Sequence, residues 1–223
     1  MTRKRVISFP KSGRSWLRYA LELTEQAQDI IFSHDEFEYN DGTKPPLNFD
    51  INRRYQNYNI GSDKILYIER DARDTIVSLY NQITGRFADF FNYQGDISTF
   101  IRDPYFGVDN LLKFQKLWRR LATENNLPII RYEDMHSDYQ AVLVKVCDFF
   151  DISVSLHDVE RISEMASFDN MKQVELSGQS QRPWLSPRNS HCKVRKGKVG
   201  GYSLELSDED IAYIQSRMMH FDV

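Results

Sequence analysis

Short apolar runs that alternate with amphipathic stretches set the pattern of this chain. Uninterrupted apolar runs are typical of strands that are buried on both faces, whereas apolar positions three or four residues apart are typical of helices. On this basis we expect strands at 6–9, 30–33, 64–69 and 128–132. Helices are expected at about 15–28, 73–84, 109–124 and 137–150. Because strands and helices alternate, the predicted fold class is α/β, a three-layer α/β/α arrangement with a central, mainly parallel sheet.

Polar patterns add the remaining landmarks. Two serines that are each followed by an aspartate three positions later, at 155–158 and 207–210, predict further helix starts, because a hydroxyl cap and a nearby carboxylate satisfy the first backbone N–H groups. The stretches 35–63 and 177–203 are predicted to be long irregular segments, which are usually functional in compact domains. Neither repeats nor a linker interrupt the chain, so residues 1–223 are interpreted as one domain.

Composition narrows the class of protein. The sequence has 223 residues, of which 27% are charged and 13% aromatic, and its net charge is −3. This balance is ordinary for a folded protein and argues against general nucleic-acid binding, so any anion site must be local. No apolar segment is long enough for a signal-peptide core or a membrane span, and we expect a cytoplasmic protein. Cys147 and Cys192 lie far apart and are interpreted as free thiols in a reducing compartment rather than as a disulfide.

The stretch FPKSGRSW, residues 9–16, carries the first candidate chemistry. A tight turn at Gly13 between a strand and a helix would aim backbone N–H groups and the positive end of the helix dipole at one point, which favours an anion. The order differs from the nucleotide P-loop, in which glycine precedes the lysine. Other groups suited to an anion or a base in this stretch are Lys11, Ser12, Ser15 and Trp16. The alternative is a plain turn with a surface lysine and a core tryptophan.

Two further segments carry cations. Arg70 follows the apolar strand at 64–69, and Ser78 lies eight residues later in the next helix. Parallel strands present ligands at their carboxyl ends, so Arg70 and the Gly13 turn should face the same crevice. A third segment, CKVRKGKVGGY at 192–202, is basic and rich in glycine. Three separate cationic segments indicate a ligand with more than one phosphate-like group.

These segments together resemble a known family, the PAPS-dependent sulfotransferases, in which PAPS is 3′-phosphoadenosine 5′-phosphosulfate. The resemblance rests on PKSGRSW at 10–16, on Arg70 with Ser78, and on RKGxxG at 195–200. The intervening RYEDM at 131–135 and SFDNMK at 167–172 agree in order. The resemblance covers nearly the whole chain and implies a P-loop-NTPase-like fold and transfer of a sulfuryl group from PAPS to a hydroxyl or amine acceptor.

The resemblance also implies roles for individual residues. The 5′ end and the adenine of PAPS, or of its product PAP, would be bound by Lys11, Ser12, Gly13, Arg14, Ser15 and Trp16. The 3′-phosphate would be bound by Arg70, Ser78, Arg195, Lys196 and Gly197, with Tyr132 near the adenine. Lys11 would neutralise charge on the leaving oxygen, and the catalytic set is Lys11, Ser78 and a general base. No metal ion is expected, since no carboxylate cluster accompanies the loop.

In cytosolic members of the family a histidine takes the acceptor's proton. His34 follows the strand at 30–33 and is the candidate here, with Asp35 or Glu36 as the fallback. His191, in the basic segment, could instead contact the cofactor. His136, like two other histidines in helical surroundings, is interpreted as a surface or capping residue.

Departures from the family pattern leave the acceptor open. Arg14 stands where the family usually has Thr, and Phe32 stands where it commonly has Lys. Four aromatic residues could form an apolar acceptor wall or pack in the core, namely Phe87, Phe90, Phe91 and Tyr93. The stretch 35–63 could act as a cover loop. A phenol, a lipid, a glycan or a small alcohol would all suit, and the oligomeric state stays open.

Two other functions compete with this interpretation. The first is an ATP-dependent kinase of the P-loop class, with 65–69 as a crude acidic second motif. The inverted order of the loop and the RKG segment argue against it. The second is a non-catalytic module that binds PAP or PAPS but lacks a usable base. A kinase would need Mg²⁺ to bind its nucleotide, whereas a sulfotransferase would not. A non-catalytic module would bind PAP or PAPS but transfer nothing to any compound of an acceptor panel.

Overall fold

A four-stranded parallel sheet forms the centre of the molecule, in the strand order β2-β1-β3-β4. The computed structural model describes residues 2–39, 42, 49–178, 180 and 182–223. The strands are β1 (Lys4–Ser8), β2 (Ile30–Ser33), β3 (Lys64–Glu69) and β4 (Ile129–Arg131). All three pairings are parallel, which confirms the predicted sheet.

The apolar runs fill a core on each face of this sheet. In β3, Ile65 and Tyr67 belong to one buried cluster, whereas Leu66 and Ile68 belong to the other. Side chains alternate between the faces of a strand, so a run without polar interruptions supplies both cores. Each fully buried side chain of this size contributes about 1.5–3 kcal/mol relative to an exposed one. The predicted three-layer arrangement is therefore confirmed.

Eleven α-helices are found among the described residues. They are α1 (Arg14–Glu22), α2 (Ile51–Asn57), α3 (Ala72–Asn81), α4 (Ala88–Phe91), α5 (Ile97–Ile101), α6 (Val108–Asn125), α7 (Tyr132–Ser137), α8 (Tyr139–Phe149), α9 (Leu156–Met165), α10 (Phe168–Leu176) and α11 (Asp208–Phe221). A π-helical turn, Gln82–Arg86, extends α3, and short 3₁₀ turns lie at Pro183–Leu185 and Gly201–Leu204. Ser155 and Ser207 cap α9 and α11 as predicted, the former in a full capping box.

Several predicted boundaries were wrong. Helix α1 ends at Glu22, six residues before the predicted end, and Glu25 beyond it has a left-handed backbone (φ 57°). The stretch 35–63 was predicted to be irregular but contains α2, whose first N–H groups donate to the carboxylate of Asp50. Part of the predicted cover loop, at 40, 41 and 43–48, lies outside the described residues, as do 179 and 181 in the second irregular stretch.

The topology brings the carboxyl ends of all four strands to one edge of the sheet. Strand β1 leads into the Gly13 turn, β2 ends just before His34, β3 ends just before Arg70, and β4 leads directly into α7, which begins at Tyr132. Ligands of open α/β folds bind at this edge.

Candidate active site

A cavity of about 750 Å³ lies at the carboxyl edge of the sheet. Its wall contains most of the site residues predicted from the sequence, namely Lys11, Gly13, Arg14, Ser15, Trp16, His34, Arg70, Ser78, Tyr132, Arg195, Lys196 and Gly197. Ser12 is 1% exposed and is not among the lining residues. Segments almost two hundred residues apart in sequence thus meet in one cavity.

The turn between β1 and α1 is built around two left-handed residues, Lys11 (φ 74°) and Gly13 (φ 97°). A Cβ atom at Gly13 would lie 2.5 Å from the ring of Tyr132, so only glycine fits both the backbone and the space. No side chain of the described residues caps α1. The first residues of this helix line the cavity, so its N-terminus can accept an anion.

The ammonium of Lys11 lies in a strongly cationic environment. Burial, followed by repulsion from Arg86, Arg70 and Arg195, lowers the pKa of Lys11 to about 7. An anion in the cavity would offset both effects by attraction and favour the charged ammonium. Lys11 is therefore suited to respond to negative charge on a ligand.

His34 lines the cavity in a defined orientation. Its Nδ1 lies 2.8 Å from the carbonyl oxygen of Ser8. Because a carbonyl oxygen can only accept, Nδ1 carries the hydrogen and Nε2 keeps a free lone pair. Burial and the positive charges of Arg14 and Lys193 lower the pKa of His34 well below 6.5, so the ring is neutral at pH 7. A neutral, oriented imidazole can accept a proton.

The fallback bases, Asp35 and Glu36, are engaged elsewhere. Asp35 is buried and accepts from the Nε1 atom of Trp118 at 3.0 Å and from the Nη2 atom of Arg54 at 2.9 Å. Glu36 forms an ion pair with Arg54. Neither residue lines the cavity. These contacts fix the turn that follows His34. The sequence did not predict this structural role of Asp35 and Glu36.

Arg70 connects two of the predicted segments. Its Nη1 donates to the carbonyl oxygen of Lys11 at 3.2 Å, and its Nη2 donates to that of Lys198 at 3.1 Å. The guanidinium carbon lies 4.2 Å from the ring centroid of Tyr132. The Nε atom is buried without a hydrogen-bond partner. Arg70 therefore holds the N-terminal loop and the basic segment together at the cavity.

Asp74 anchors the glycine-rich end of the basic segment. One turn after Arg70, its carboxylate accepts from the backbone N–H of Gly200 at 2.7 Å and of Tyr202 at 3.0 Å. Asp74 is buried. The sequence shows only that a carboxylate lies four residues after Arg70. Nothing in the local sequence indicates that its partners are the backbone N–H groups of Gly200 and Tyr202.

Glu175 anchors the other end of the segment. Its buried carboxylate accepts from the backbone N–H groups of Lys193 and Val194 and from the Nη1 atom of Arg86 at 3.3 Å. Arg86 comes from the π-helical turn and also donates to the carbonyl oxygen of Ser186 at 2.9 Å. Sequence analysis missed this ion pair because its members are 89 residues apart.

Glu205 faces two of the cations predicted to bind a 3′-phosphate. Its Oε1 lies 2.9 Å from the Nη1 atom of Arg195 and 2.8 Å from the Nζ atom of Lys196. Its Oε2 accepts from Asn81 at 3.3 Å. Glu205, Arg195 and Lys196 line the cavity, and so does Ser78, whereas Asn81 does not. An internal carboxylate thus neutralises the part of the cavity that a second phosphate would need.

The aromatic part of the cavity is centred on Trp16. Its ring stacks on Tyr139 at 4.5 Å with an interplanar angle of 3°, and meets Tyr132 and His136 edge-on. The Nε1 atom of Trp16 is buried without a partner. His136 is exposed, as predicted for a surface residue, and it also lines the cavity because α7 follows β4 directly.

The predicted acceptor wall is only partly present. Phe87 lines the cavity. Phe91 and Tyr93 pack instead on Phe106, at 5.2 and 5.9 Å between ring centroids. The Phe90 ring lies under the guanidinium of Arg188, at 3.7 Å from its centroid.

Other predicted features lie away from the cavity wall. His191 bonds through Nδ1 to the carbonyl oxygen of Asn189. Glu69, the acidic residue of the kinase alternative, forms a bidentate pair with Arg119 at 2.8 and 2.9 Å. The two cysteines are free thiols, as predicted. In the described part of the chain, no cluster of three or more His, Cys, Asp or Glu side chains is arranged to hold a metal, and no helix is both long and apolar enough to cross a membrane.

Among the described residues, three buried donors in the cavity wall have no hydrogen-bond partner, namely Arg14 Nη1, Trp16 Nε1 and Arg70 Nε. Buried polar groups are normally paired, so these donors are available to hydrogen-bond acceptors on a ligand. An uncapped helix N-terminus, several cations and a flat aromatic surface accompany them. The cavity therefore fits a ligand with two or more anionic groups and an aromatic ring.

Comparisons with known proteins agree with this chemistry. A family model described as the sulfotransferase domain matches residues 60–220. Cytosolic sulfotransferase 1 of Danio rerio is 25% identical over 233 aligned positions, covering 88% of this chain and 75% of that protein. Amine sulfotransferase of Oryctolagus cuniculus is 22% identical, covering 92% and 75%.

Solved structures share the fold. A mouse sulfotransferase complexed with PAP superposes with a TM-score of 0.69 at 18% identity, covering 99% of this chain and 83% of that one. Retinol dehydratase in complex with androsterone and inactive cofactor PAP gives a TM-score of 0.68 at 17% identity, covering 98% and 80%.

Proposed function

Because the chain belongs to the sulfotransferase family, we propose that it moves a sulfuryl group from PAPS to a hydroxyl or amine acceptor. The observation that carries this proposal is the single cavity in which the Lys11 loop, Arg70 and the basic segment meet around unpaired buried donors. Support also comes from the two similar structures, both of which are complexes with PAP. We further propose that the chain works as one cytoplasmic domain, in keeping with the cytosolic sulfotransferase among its relatives.

The residues present fit the two ends of PAPS. The N-terminal loop and Lys11 would hold the 5′-phosphosulfate, since an uncapped helix N-terminus and a cation favour an anion there. Arg70, Ser78 and the Arg195–Gly197 segment would hold the 3′-phosphate. Trp16 and Tyr132 would contact the adenine with their rings, and the buried Nε1 of Trp16 is a donor without a protein partner.

The reaction forms a bond between the acceptor oxygen or nitrogen and sulfur, and breaks the bond from sulfur to the phosphate oxygen. PAPS supplies the activated sulfuryl group when bound. His34 accepts the acceptor's proton at Nε2, because Nδ1 is committed to the Ser8 carbonyl. The Lys11 ammonium stabilises the negative charge that develops on the leaving oxygen. Ser78 donates a hydroxyl hydrogen bond beside these groups.

A comparison of nucleotides tests the proposal. PAP should raise the melting temperature of the protein in the presence of EDTA, and should do so more than AMP or ATP, because only PAP carries the 3′-phosphate. At one hundred times its Kd a ligand adds about 2.7 kcal/mol of stability, which is easily detected. Equal shifts by AMP and PAP would contradict a 3′-phosphate site, and a shift that needs ATP with Mg²⁺ would favour the kinase.

An acceptor panel then separates an enzyme from a binding module. With labelled PAPS, the proposal expects transfer of label to at least one hydroxyl or amine compound. PAP binding without transfer to any acceptor would support the non-catalytic alternative. The pairing of Glu69 with Arg119 already weakens the kinase, because that carboxylate is committed outside the cavity wall.

A further inference from the structure

An indole ring in the wall of the cavity is bordered by two cations. The ring centroid of Trp184 lies 4.9 Å from the guanidinium carbon of Arg18 and 5.0 Å from the ammonium nitrogen of Lys193. All three residues line the cavity. Arg18 also lies over the ring of Phe32, at 5.4 Å. Lys193 is near enough to His34 for its positive charge to lower the pKa of that ring. The surface formed by Arg18, Trp184 and Lys193, here called the indole patch, thus borders the predicted base.

The positive charge of Lys193 is poorly balanced. Its ammonium donates to the carbonyl oxygen of Trp184 at 3.0 Å, a neutral partner, whereas Arg18 has an ion pair with Glu22 at 2.7 Å. Burial and repulsion from Lys11 and other cations lower the pKa of Lys193 well below its usual value. A partly buried cation in this condition is stabilised by an added anion.

The carboxylates of the cavity cannot supply that anion. In the described part of the chain, Asp74 and Glu205 are the carboxylates that line it. Asp74 accepts from backbone N–H groups near Gly200, and Glu205 is paired with Arg195 and Lys196. Both lie on the side predicted for the 3′-phosphate. The anion for Lys193 must therefore come with a ligand.

We propose that the acceptor carries an anionic group, which Lys193 binds while the acceptor's hydroxyl or amine lies at His34 and its apolar or ring portion packs on Trp184. This inference rests on the proposed function, since it assigns the charges of PAPS to Lys11, Arg70, Arg195 and Lys196. Lys193 and the indole patch are left for the second substrate. Its class is then an acidic alcohol, phenol or amine, such as one bearing a carboxylate or a phosphate.

The test uses three variants and two acceptor pools. Lys193→Met removes the charge at similar length, Lys193→Arg retains a cation, and Lys145→Met removes one charge from an exposed position on α8 as the matched control. A metabolite extract is divided by anion exchange into anionic and neutral pools, and each is offered with labelled PAPS. A defined pair, 3-(4-hydroxyphenyl)propanoate and its methyl ester, is assayed in parallel for kcat/KM. PAP affinity of every variant checks that the fold and the nucleotide site persist.

We expect wild type to label the anionic pool and to prefer the carboxylate of the defined pair by about 10-fold or more, the size of one hydrogen bond to a charged group. Lys193→Met should lose that preference, whereas Lys193→Arg and Lys145→Met should keep most of it. Label confined to the neutral pool, or an equal loss by Lys193→Met on both members of the pair, would overturn the inference. An equal loss would assign Lys193 to the sulfuryl group. Failure of the proposed function itself differs, because PAP would then fail to bind or neither pool would be labelled.

Discussion

At the scale of single residues, His34 illustrates how neighbours decide what a side chain can do. Its identity allows several tautomers and charge states, but the Ser8 carbonyl at Nδ1 and the surrounding cations select the neutral ring with a free Nε2. Asp35, one residue later, is committed to Trp118 and Arg54 instead. Adjacent residues with similar acid–base potential therefore have different roles.

Replacing His34 by Asn should separate binding from proton transfer. The amide keeps some hydrogen bonding but cannot accept a proton, so turnover should fall about 10²- to 10⁴-fold, the usual share of general acid–base catalysis. PAP affinity, measured by calorimetry, should stay within a few-fold of wild type. A variant that turns over nearly as fast as wild type would remove His34 from the mechanism.

The pH dependence of wild-type turnover follows from the lowered pKa of His34. Burial and neighbouring cations favour the neutral ring, so the base is active above its lowered pKa and is lost only below it. The acid limb of kcat/KM should therefore lie below pH 6.5, measured with an acceptor that does not itself ionise in that range. An acid limb above pH 6.5 would show that the pKa of His34 is not lowered by burial and neighbouring cations, or that His34 is not the base.

Lys11 should couple nucleotide binding to proton uptake. Its pKa is about 7 in the free protein, because of burial and neighbouring arginines, and an anion will raise it. At pH 8 the phosphates of PAP are fully ionised, so a proton taken up on binding must come to the protein. Calorimetry in buffers of different ionisation enthalpy should show uptake, and affinity should weaken as the pH rises above about 7. Lys11→Arg, which stays charged, should show less uptake, whereas no uptake by wild type would contradict the account.

At the scale of elements, the turn before α1 depends on a glycine that a matched control can test. Gly13 and Gly178 both have left-handed backbones, but a Cβ atom meets the Tyr132 ring at 2.5 Å only in the first case and nothing within 4 Å in the second. Both alanine variants bear the backbone strain, of order 1 kcal/mol. Gly13→Ala should additionally weaken PAP binding by 10-fold or more, while Gly178→Ala should bind like wild type. Equal PAP affinities of the two variants would show that the loop accommodates the Cβ atom at residue 13 without losing the nucleotide site.

Glu205 gives the basic segment an internal anion that competes with a ligand. Its carboxylate pairs with Arg195 and Lys196. A 3′-phosphate must therefore share these two cations with Glu205 or displace the Glu205 carboxylate from them. Glu205→Gln should tighten PAP binding by several-fold and leave AMP binding unchanged, as measured by the ratio of the two Kd values. A ratio that stays constant, or PAP binding that weakens, would mean that Glu205 positions the cations rather than competes for them.

The sequence was most informative where the elements are made by local pattern. Strands β2 and β3 match their predicted bounds. The apolar run of β3 fills buried positions, whereas in β2 only Ile30 is buried and Ile31 is exposed. Helix α2 was missed because it has no buried face, and its start depends on the cap at Asp50. In the cavity, motifs predicted Lys11, Arg70 and Arg195 as lining cations but did not point to Arg18, Arg86 or Lys193. Carboxylates that anchor the basic segment, such as Glu175, bond to residues far away in the sequence, and no local motif identifies such partners.

At the scale of the whole molecule, a slightly acidic chain encloses a cationic cavity. The net charge is −3, yet Lys11, Arg70, Lys193 and Arg195 all line one space. Folding gathers them because parallel strands end at one edge of the sheet and the basic segment closes over it. The cationic character of the cavity is therefore a property of the fold and not of the composition.

The most direct measurement is the balance of the reaction itself. Purified protein, labelled PAPS, an acceptor identified by the extract screen and EDTA are combined, and PAP and sulfated product are quantified over time for wild type and His34→Asn. The account expects one sulfated product for each PAP released, no need for Mg²⁺, and a loss of about 10²- to 10⁴-fold in the variant. PAP release without sulfated product, or group transfer only from ATP with Mg²⁺, would contradict it.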